Sequence, residues 1–184
     1  MDREKIKKAV ADILEAIGED PQRAGLKNTP ERVAEMFEEL LSGNMLQAQE
    51  VLKGTHELEH DEMVIVKDIP FYSMCEHHML PFFGKCHLAY IPNNKKIIGI
   101  SKLAAVVDIL SRRLQVQESL TVDIIEAIMD FLKPKGAAVV IKARHMCMEM
   151  RGVKKSDTYA ITSAVRGVFM RDIKTREEFL KLIE

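Results

Sequence analysis

No stretch of this sequence stays apolar for the roughly 20 residues that a membrane-spanning helix needs. The opening twenty, MDREKIKKAVADILEAIGED, are charged from the second residue and hold no apolar segment of the secretory kind. We therefore expect a cytoplasmic protein. A charge excess is missing too: 27 Lys and Arg stand against 28 Asp and Glu, a formal net charge of −1. No global basic field points to nucleic acid or to a membrane surface. Cysteine is scarce and odd in number, three in 184 residues. That argues against a disulfide framework and for metal or catalytic use of the thiols. There is no internal repeat and no low-complexity tract. What is present, 47% apolar and 30% charged residues, suffices for one cored domain or a domain with a smaller appendage.

The apolar spacing predicts a helix over residues 2–17, with Ile6, Val10, Ile13, Leu14 and Ile17 on one stripe and Gly18 after it. Thr29 is placed to cap a second helix with Pro30 at its first position, Val33, Met36, Phe37, Leu40 and Leu41 inward and Gly43 behind it. The short connection predicts an antiparallel helical pair. Residues 44–62 read as a connector or a poorly periodic helix. MVIVKDI (63–69) and KCHLAYI (85–91) read as strands, and NNKK as a turn before a short strand IIGIS. Ser101 can cap a helix carrying Leu103, Val106, Val107, Leu110 and Leu114, and a helix at about 118–132 is expected to bury Leu120, Ile124, Ile128 and Phe131 before Pro134 and Gly136 stop it. Strands are expected at 137–150 and 159–169, and Thr175 with Glu178 fits a capping box for a last helix. Strands grouped around a helical pair predict an α+β fold, an antiparallel sheet with helices on one face. We divide the chain into an N-terminal helical region and connector, 1–62, and a catalytic domain, 63–184. A sheet of about four strands has two open edges, which points to oligomerisation.

SMCEHHMLPFFG, residues 73–84, sets Cys75, Glu76, His77 and His78 in a row before Pro81 and Gly84. Cys-x-x-His in a turn is a common half of a zinc site. RHMCMEMR, residues 144–151, supplies the other candidate pair, His145 and Cys147. Read as a strand, it puts His145, Cys147, Glu149 and Arg151 on one face. Two thiolates and an imidazole with an open fourth position form a catalytic zinc pattern; four closed ligands form a structural one. Spacing alone does not choose among Cys75, His77, His78, His145 and Cys147. Zinc lowers the pKa of a bound water toward about 7, and an unligated imidazole titrates near about 6.5. Together they suit a hydrolase that attacks an electrophilic carbon and protonates a leaving nitrogen.

GLKNTPERVAEMFEELLSG, SMCEHHMLPFFGKCHLAYIP, GISKL, RRLQVQESLT, HMCMEMRGV and TSAVRGVF, from about residue 5 to the C-terminus, resemble GTP cyclohydrolase I. The resemblance implies the tunnelling fold: an antiparallel four-stranded sheet with two helices packed on it, after N-terminal helices. It implies pentameric rings joined sheet to sheet, two rings stacked into a homodecamer, and active sites between subunits. Cys75, His78 and Cys147 match the zinc ligands, and His77 and His145 the proton-handling histidines. Glu118 matches the carboxylate that reads the guanine edge, with Gln117 beside it; Ser101, Lys102, Arg151 and Arg32 match residues near the ribose and phosphates. The implied reaction opens the imidazole ring of GTP at C8, releases formate and, after rearrangement of the ribose, closes 7,8-dihydroneopterin triphosphate for folate and pterin synthesis.

Two positions depart from the family's usual pattern. Ala105 stands where an arginine is common after Ser-Lys-Leu-Ala, and Glu35 where a lysine is usual. Both changes should weaken triphosphate binding. Away from the motifs we expect Cys86 in the core, His87 packed or at the surface, His56 and His60 solvated, and Met146, Met148 and Met150 in the core. The rival readings are a zinc-stabilised interaction module and another tunnelling-fold enzyme acting on a different purine or pterin.

Overall fold

The computed structural model describes residues 1–54 and 56–184, with the side chains of His56 and Glu57 outside the description. The expectation of a solvated His56 therefore lies outside the described residues. The chain divides into two compact units, Met1–Ser42 and Gly43–Glu184.

The first unit pairs α1 (Arg3–Ala16) with α2 (Thr29–Leu40). The Asp2 carboxylate accepts from the backbone N–H of Lys5 and caps α1. Asn28 takes the N-cap position of α2 without a side-chain bond, so Thr29, expected as the cap, is already helical. Of the predicted inward stripe on α1 only Leu14 is buried; Ile13 and Ile17 are exposed. Arg3 ties the two helices by reaching Glu31, Glu35 and Glu38 of α2.

The second unit opens with α3 (Met45–Leu52), started by a reciprocal capping box between Asn44 and Gln47. The boundary drawn in the sequence at residue 62 thus differs from the division at Ser42, because α3 packs on the helices of the larger unit. The two-residue strands β1 (His56–Glu57) and β4 (Lys96–Ile97) pair with each other. The main sheet holds β2 (Val64–Cys75), β3 (Pro81–Ile91), β5 (Leu114–Gln115), β6 (Gly136–His145) and β7 (Ala160–Gly167), in the order β5-β2-β3-β6-β7. β2, β3, β6 and β7 run antiparallel in turn. β5 joins in parallel through Met74↔Leu114 and Cys75↔Gln115, which makes the sheet five-stranded and mixed. Two residues are too few for period-2 alternation to announce a strand. Gly84 on β3 is required by a close approach: a Cβ there would stand 2.0 Å from the Lys142 carbonyl oxygen.

α4 (Ile100–Ser111) and α5 (Gln117–Leu132) bury Leu103, Val106, Val107, Leu110, Leu120, Ile124 and Ile128 in one cluster with Phe82, Leu88, Tyr90 and Ile141 of the sheet. Ala89, between Leu88 and Tyr90, belongs to a second cluster with Ala138, Phe169 and Phe179. Alternation places that cluster on the opposite face. There α7 (Val168–Arg171) and α8 (Ile173–Ile183) cover part of the sheet, so helices lie on both faces rather than one. Gly99 precedes α4, so Ser101 lies within its first turn; Leu114 is an exposed residue of β5, and Phe131 is 37% exposed. Asp172, not Thr175, caps α8: its carboxylate accepts from the Lys174 N–H and the Thr175 hydroxyl.

Candidate active site

Both strands of the β2–β3 hairpin run closer to the turn than their apolar segments suggest, so Cys75 ends β2 and Pro81 opens β3. The Cys75 N–H donates to the Leu80 carbonyl (2.9 Å), and the Cys75 carbonyl accepts from Met79, whose φ is 53°. The turn therefore bends back on Cys75 and lifts His77 and His78 into solvent. Glu76 is exposed as well and is tied through its backbone N–H to the Gln115 carbonyl (3.1 Å).

The second motif does not continue as a strand. β6 ends at His145, and Met146–Glu149 form a single helical turn, α6. The shared face predicted for His145, Cys147, Glu149 and Arg151 is therefore absent. Arg144 donates through Nε and Nη2 to the two Glu149 oxygens (2.8 and 2.5 Å), a fork that closes the turn. Hydrogen bonding from Arg144 holds the Glu149 carboxyl below its usual range. Met148 and Met150 are 37% and 60% exposed, not core residues as expected.

This turn carries Cys147 to Cys75. One donor atom each from Cys75, His78 and Cys147 lie within 4.8 Å of one another, and the two sulfurs are 4.0 Å apart. Two thiolates on a tetrahedral zinc, with Zn–S near about 2.3 Å, stand about 3.8 Å apart. Burial, and then the neighbouring Cys75, push the Cys147 thiol up; a bound cation reverses that balance. The three side chains could hold a metal, and two sulfurs with one imidazole suit a soft or borderline ion. Arg151 donates from Nη1 to Nε2 of His78 (3.1 Å).

His145 is set apart from the thiols. Its Nε2 lies 2.7 Å from Oε1 of Gln117, and its ring stacks on buried Phe82 at 4.8 Å with 1° between planes. Burial lowers its pKa, while the Glu118 carboxylate acts the other way. Glu118 sits exposed in the first turn of α5. Gln117, expected at the substrate, is 2% exposed. Its Nε2 shares two hydrogens among three acceptors at 3.1 Å, the carbonyls of Ile141 and Ala160 and the Thr162 hydroxyl. His77 makes only an edge contact with the His78 ring among the described residues.

Ser101 is exposed in the first turn of α4, and Lys102 donates through Nζ to the Lys53 and Gly54 carbonyls at the end of α3. Arg32 is exposed on α2, in the other unit. Glu35 accepts from Arg3 (3.2 Å). Cys86 is fully buried, as expected, and burial raises its thiol pKa. His87 is packed, its Nδ1 accepting from the Asp68 N–H (3.2 Å). Phe82, Thr121, Thr162 and the Arg144–Glu149 fork went unnoticed in the sequence. Only Thr121, four residues after Gln117, left a signal there.

A family model described as GTP cyclohydrolase I matches residues 6–184. The GTP cyclohydrolase 1 of Thermoanaerobacter pseudethanolicus is 56% identical over 183 residues, covering 100% of this chain and 97% of its own. That of Carboxydothermus hydrogenoformans is 57% identical, covering 100% and 95%, and that of Clostridioides difficile 54%, covering 100% and 97%. Among solved structures, the archaeosine synthase QueF-Like in the apo form aligns over 57% of this chain and 93% of its own, at 20% identity and a TM-score of 0.45.

Proposed function

The chain belongs to the GTP cyclohydrolase I family, and on that premise we propose that it converts GTP to 7,8-dihydroneopterin triphosphate and formate with zinc held by Cys75, His78 and Cys147. The observation that carries this reading is the convergence of those three donors from two distant turns. Cys75, His78 and Cys147 would hold the ion with three ligands, whereas a purely structural zinc would require a fourth. When bound, zinc supplies a Lewis acid and an activated water.

The remaining chemistry belongs to the chain. His145, with its ring plane held by Phe82 and its edge by Gln117, exchanges a proton with the imidazole of GTP during ring opening. His77, exposed on the turn beside the ligand His78, serves the second proton transfer. Glu118 accepts from the N1–H and N2–H donors of guanine, a pairing that suits a carboxylate. Ser101, Lys102, Arg151 and Arg32 contact the ribose and phosphates. Lys102 gives up its bonds to the α3 carbonyls to do so.

We place the catalytic machinery in residues 63–184, within a tunnelling fold, and the protein in the cytoplasm. No described helix is long and apolar enough to cross a membrane. The homodecamer of two stacked pentamers draws support from the sheet edges. Among the described residues, β7 pairs only with β6, and β5 covers β2 only at Met74 and Cys75. Tyr159 and Ile161, at the β7 edge, are 50% and 65% exposed.

Incubation with GTP tests the activity: formate and the absorbance of a dihydropterin should appear together. Turnover of GTP without formate would sink this reading.

A further inference from the structure

Gln117 is the most heavily bonded polar side chain near the site, and the directions of its bonds can be assigned. The Ile141 and Ala160 carbonyls, each 3.1 Å from Gln117 Nε2, can only accept. Turning the amide over would set its oxygen against two carbonyl oxygens, so the nitrogen is fixed on that side. The atom 2.7 Å from His145 Nε2 is then Oε1, which can only accept, so His145 Nε2 carries the hydrogen. The threonines agree. Thr121 donates its hydroxyl hydrogen to the Gln117 backbone carbonyl (2.7 Å). Thr162, 2.6 Å from Thr121, must therefore donate to it, which leaves a Thr162 lone pair to share one of the two Gln117 amide hydrogens with a carbonyl (3.1 Å). With Phe82 stacked on its face, the His145 ring has one orientation and one edge spoken for.

We propose that Gln117 is a positioning residue that holds His145 in the tautomer protonated on Nε2, and that Thr121 and Thr162 fix Gln117 in turn. The atom of His145 left to meet a reacting group is Nδ1. This departs from a role for Gln117 in substrate contact. It rests on the reading of His145 as a proton-handling residue only for its catalytic consequence; the tautomer follows from the bonds alone.

The test uses the full-length, metal-loaded protein with 15N-labelled histidine, examined by solid-state NMR at about pH 8. His145 is identified by the signals lost in His145→Asn. The expected spectrum shows hydrogen on Nε2 and a bare Nδ1; hydrogen on Nδ1 overturns the proposal whatever any variant does. In Gln117→Met the His145 signal should divide between two tautomers. Its kcat should fall about 100-fold, with KM for GTP within about twofold and zinc content unchanged. A raised KM with an undisturbed tautomer would return Gln117 to substrate contact and overturn the proposal. Should the methionine variant not fold, Thr162→Val carries this arm, because valine keeps the volume and suits a strand. Its kcat should fall about threefold at constant KM, and an unchanged kcat overturns the relay. Formate release undiminished in His145→Asn would instead sink the assigned function and leave the tautomer standing.

Discussion

The imidazoles of His145 and His77 belong to one candidate site and sit in opposite surroundings. His145 closes a long strand, lies on the face of Phe82 and is bonded to a glutamine whose own bonds reach β6, β7 and α5. His77 stands exposed on a turn held by two local backbone bonds around Cys75 and one from the Glu76 N–H to the Gln115 carbonyl. The difference separates what a single chain orders for itself from what it leaves open. Long-range contacts arrange the thiols and one histidine. Glu76 and His77 face outward on the turn. Rigid support on one side and access on the other are what a site needs to combine fixed geometry with entry.

The comparison breaks most severely at the proposed metal ligands. Cys147→Ala should abolish zinc retention, measured as metal per chain, and lower kcat by more than about 1,000-fold; retained zinc would show that Cys147 is not a ligand. Next come the two histidines. Both His145→Asn and His77→Asn should lower kcat by roughly 100-fold or more. Only His145→Asn should also lower the melting temperature, because its ring fills space against Phe82, a contact worth about 1 kcal/mol. Equal melting temperatures would erase the contrast between a fixed and an open half. Removing the fork that closes the second turn, with Arg144→Met, should weaken zinc affinity about tenfold in a chelator competition without removing any ligand.

Smaller effects are expected at the two positions that depart from the family pattern. Ala105→Arg should lower KM for GTP about tenfold, the low end for a charge-assisted contact. Glu35→Lys should add less, since it also removes a partner of Arg3 and sets a lysine against it. A larger gain from Glu35→Lys than from Ala105→Arg would overturn this order. The least effect belongs to the third cysteine. Cys86→Ala should leave kcat and zinc content unchanged and cost about 1 kcal/mol of stability in a urea titration, since Cys86 is buried in the core on β3 and is not among the three gathered donors.

Much of this organisation was legible residue by residue. The Cys-x-x-His pair, Pro81 after it and the apolar stripes of α4 and α5 are local signals, and local signals survive in a linear reading. The second motif misled because alternation was carried through residues 137–150 without a stop signal. Arg144 and Glu149 end the strand by reaching each other across a turn, and a pair five residues apart has no strand periodicity to betray it. Alternation along a strand places Met148 and Met150 on one apolar face, yet they lie on that same exposed turn. The parallel strand β5 and the second core cluster under α8 were hidden for another reason: one is two residues long, and the other depends on which face of the sheet a distant helix covers.

By itself the sequence determined the family, the residue types available for metal and proton chemistry, the two-helix start and the hairpin that presents Cys75 and His78. These follow from composition, spacing and turn chemistry within a few residues. Only the tertiary structure decided that Cys147 meets Cys75 across 72 positions, that Arg144 and Glu149 bend the chain to bring it there, and that Gln117 faces His145 rather than solvent. Those choices depend on hydrogen bonds and packing among strands and helices far apart in the chain. Spacing along the chain carries no record of which of several equivalent polar side chains will be buried against which partner.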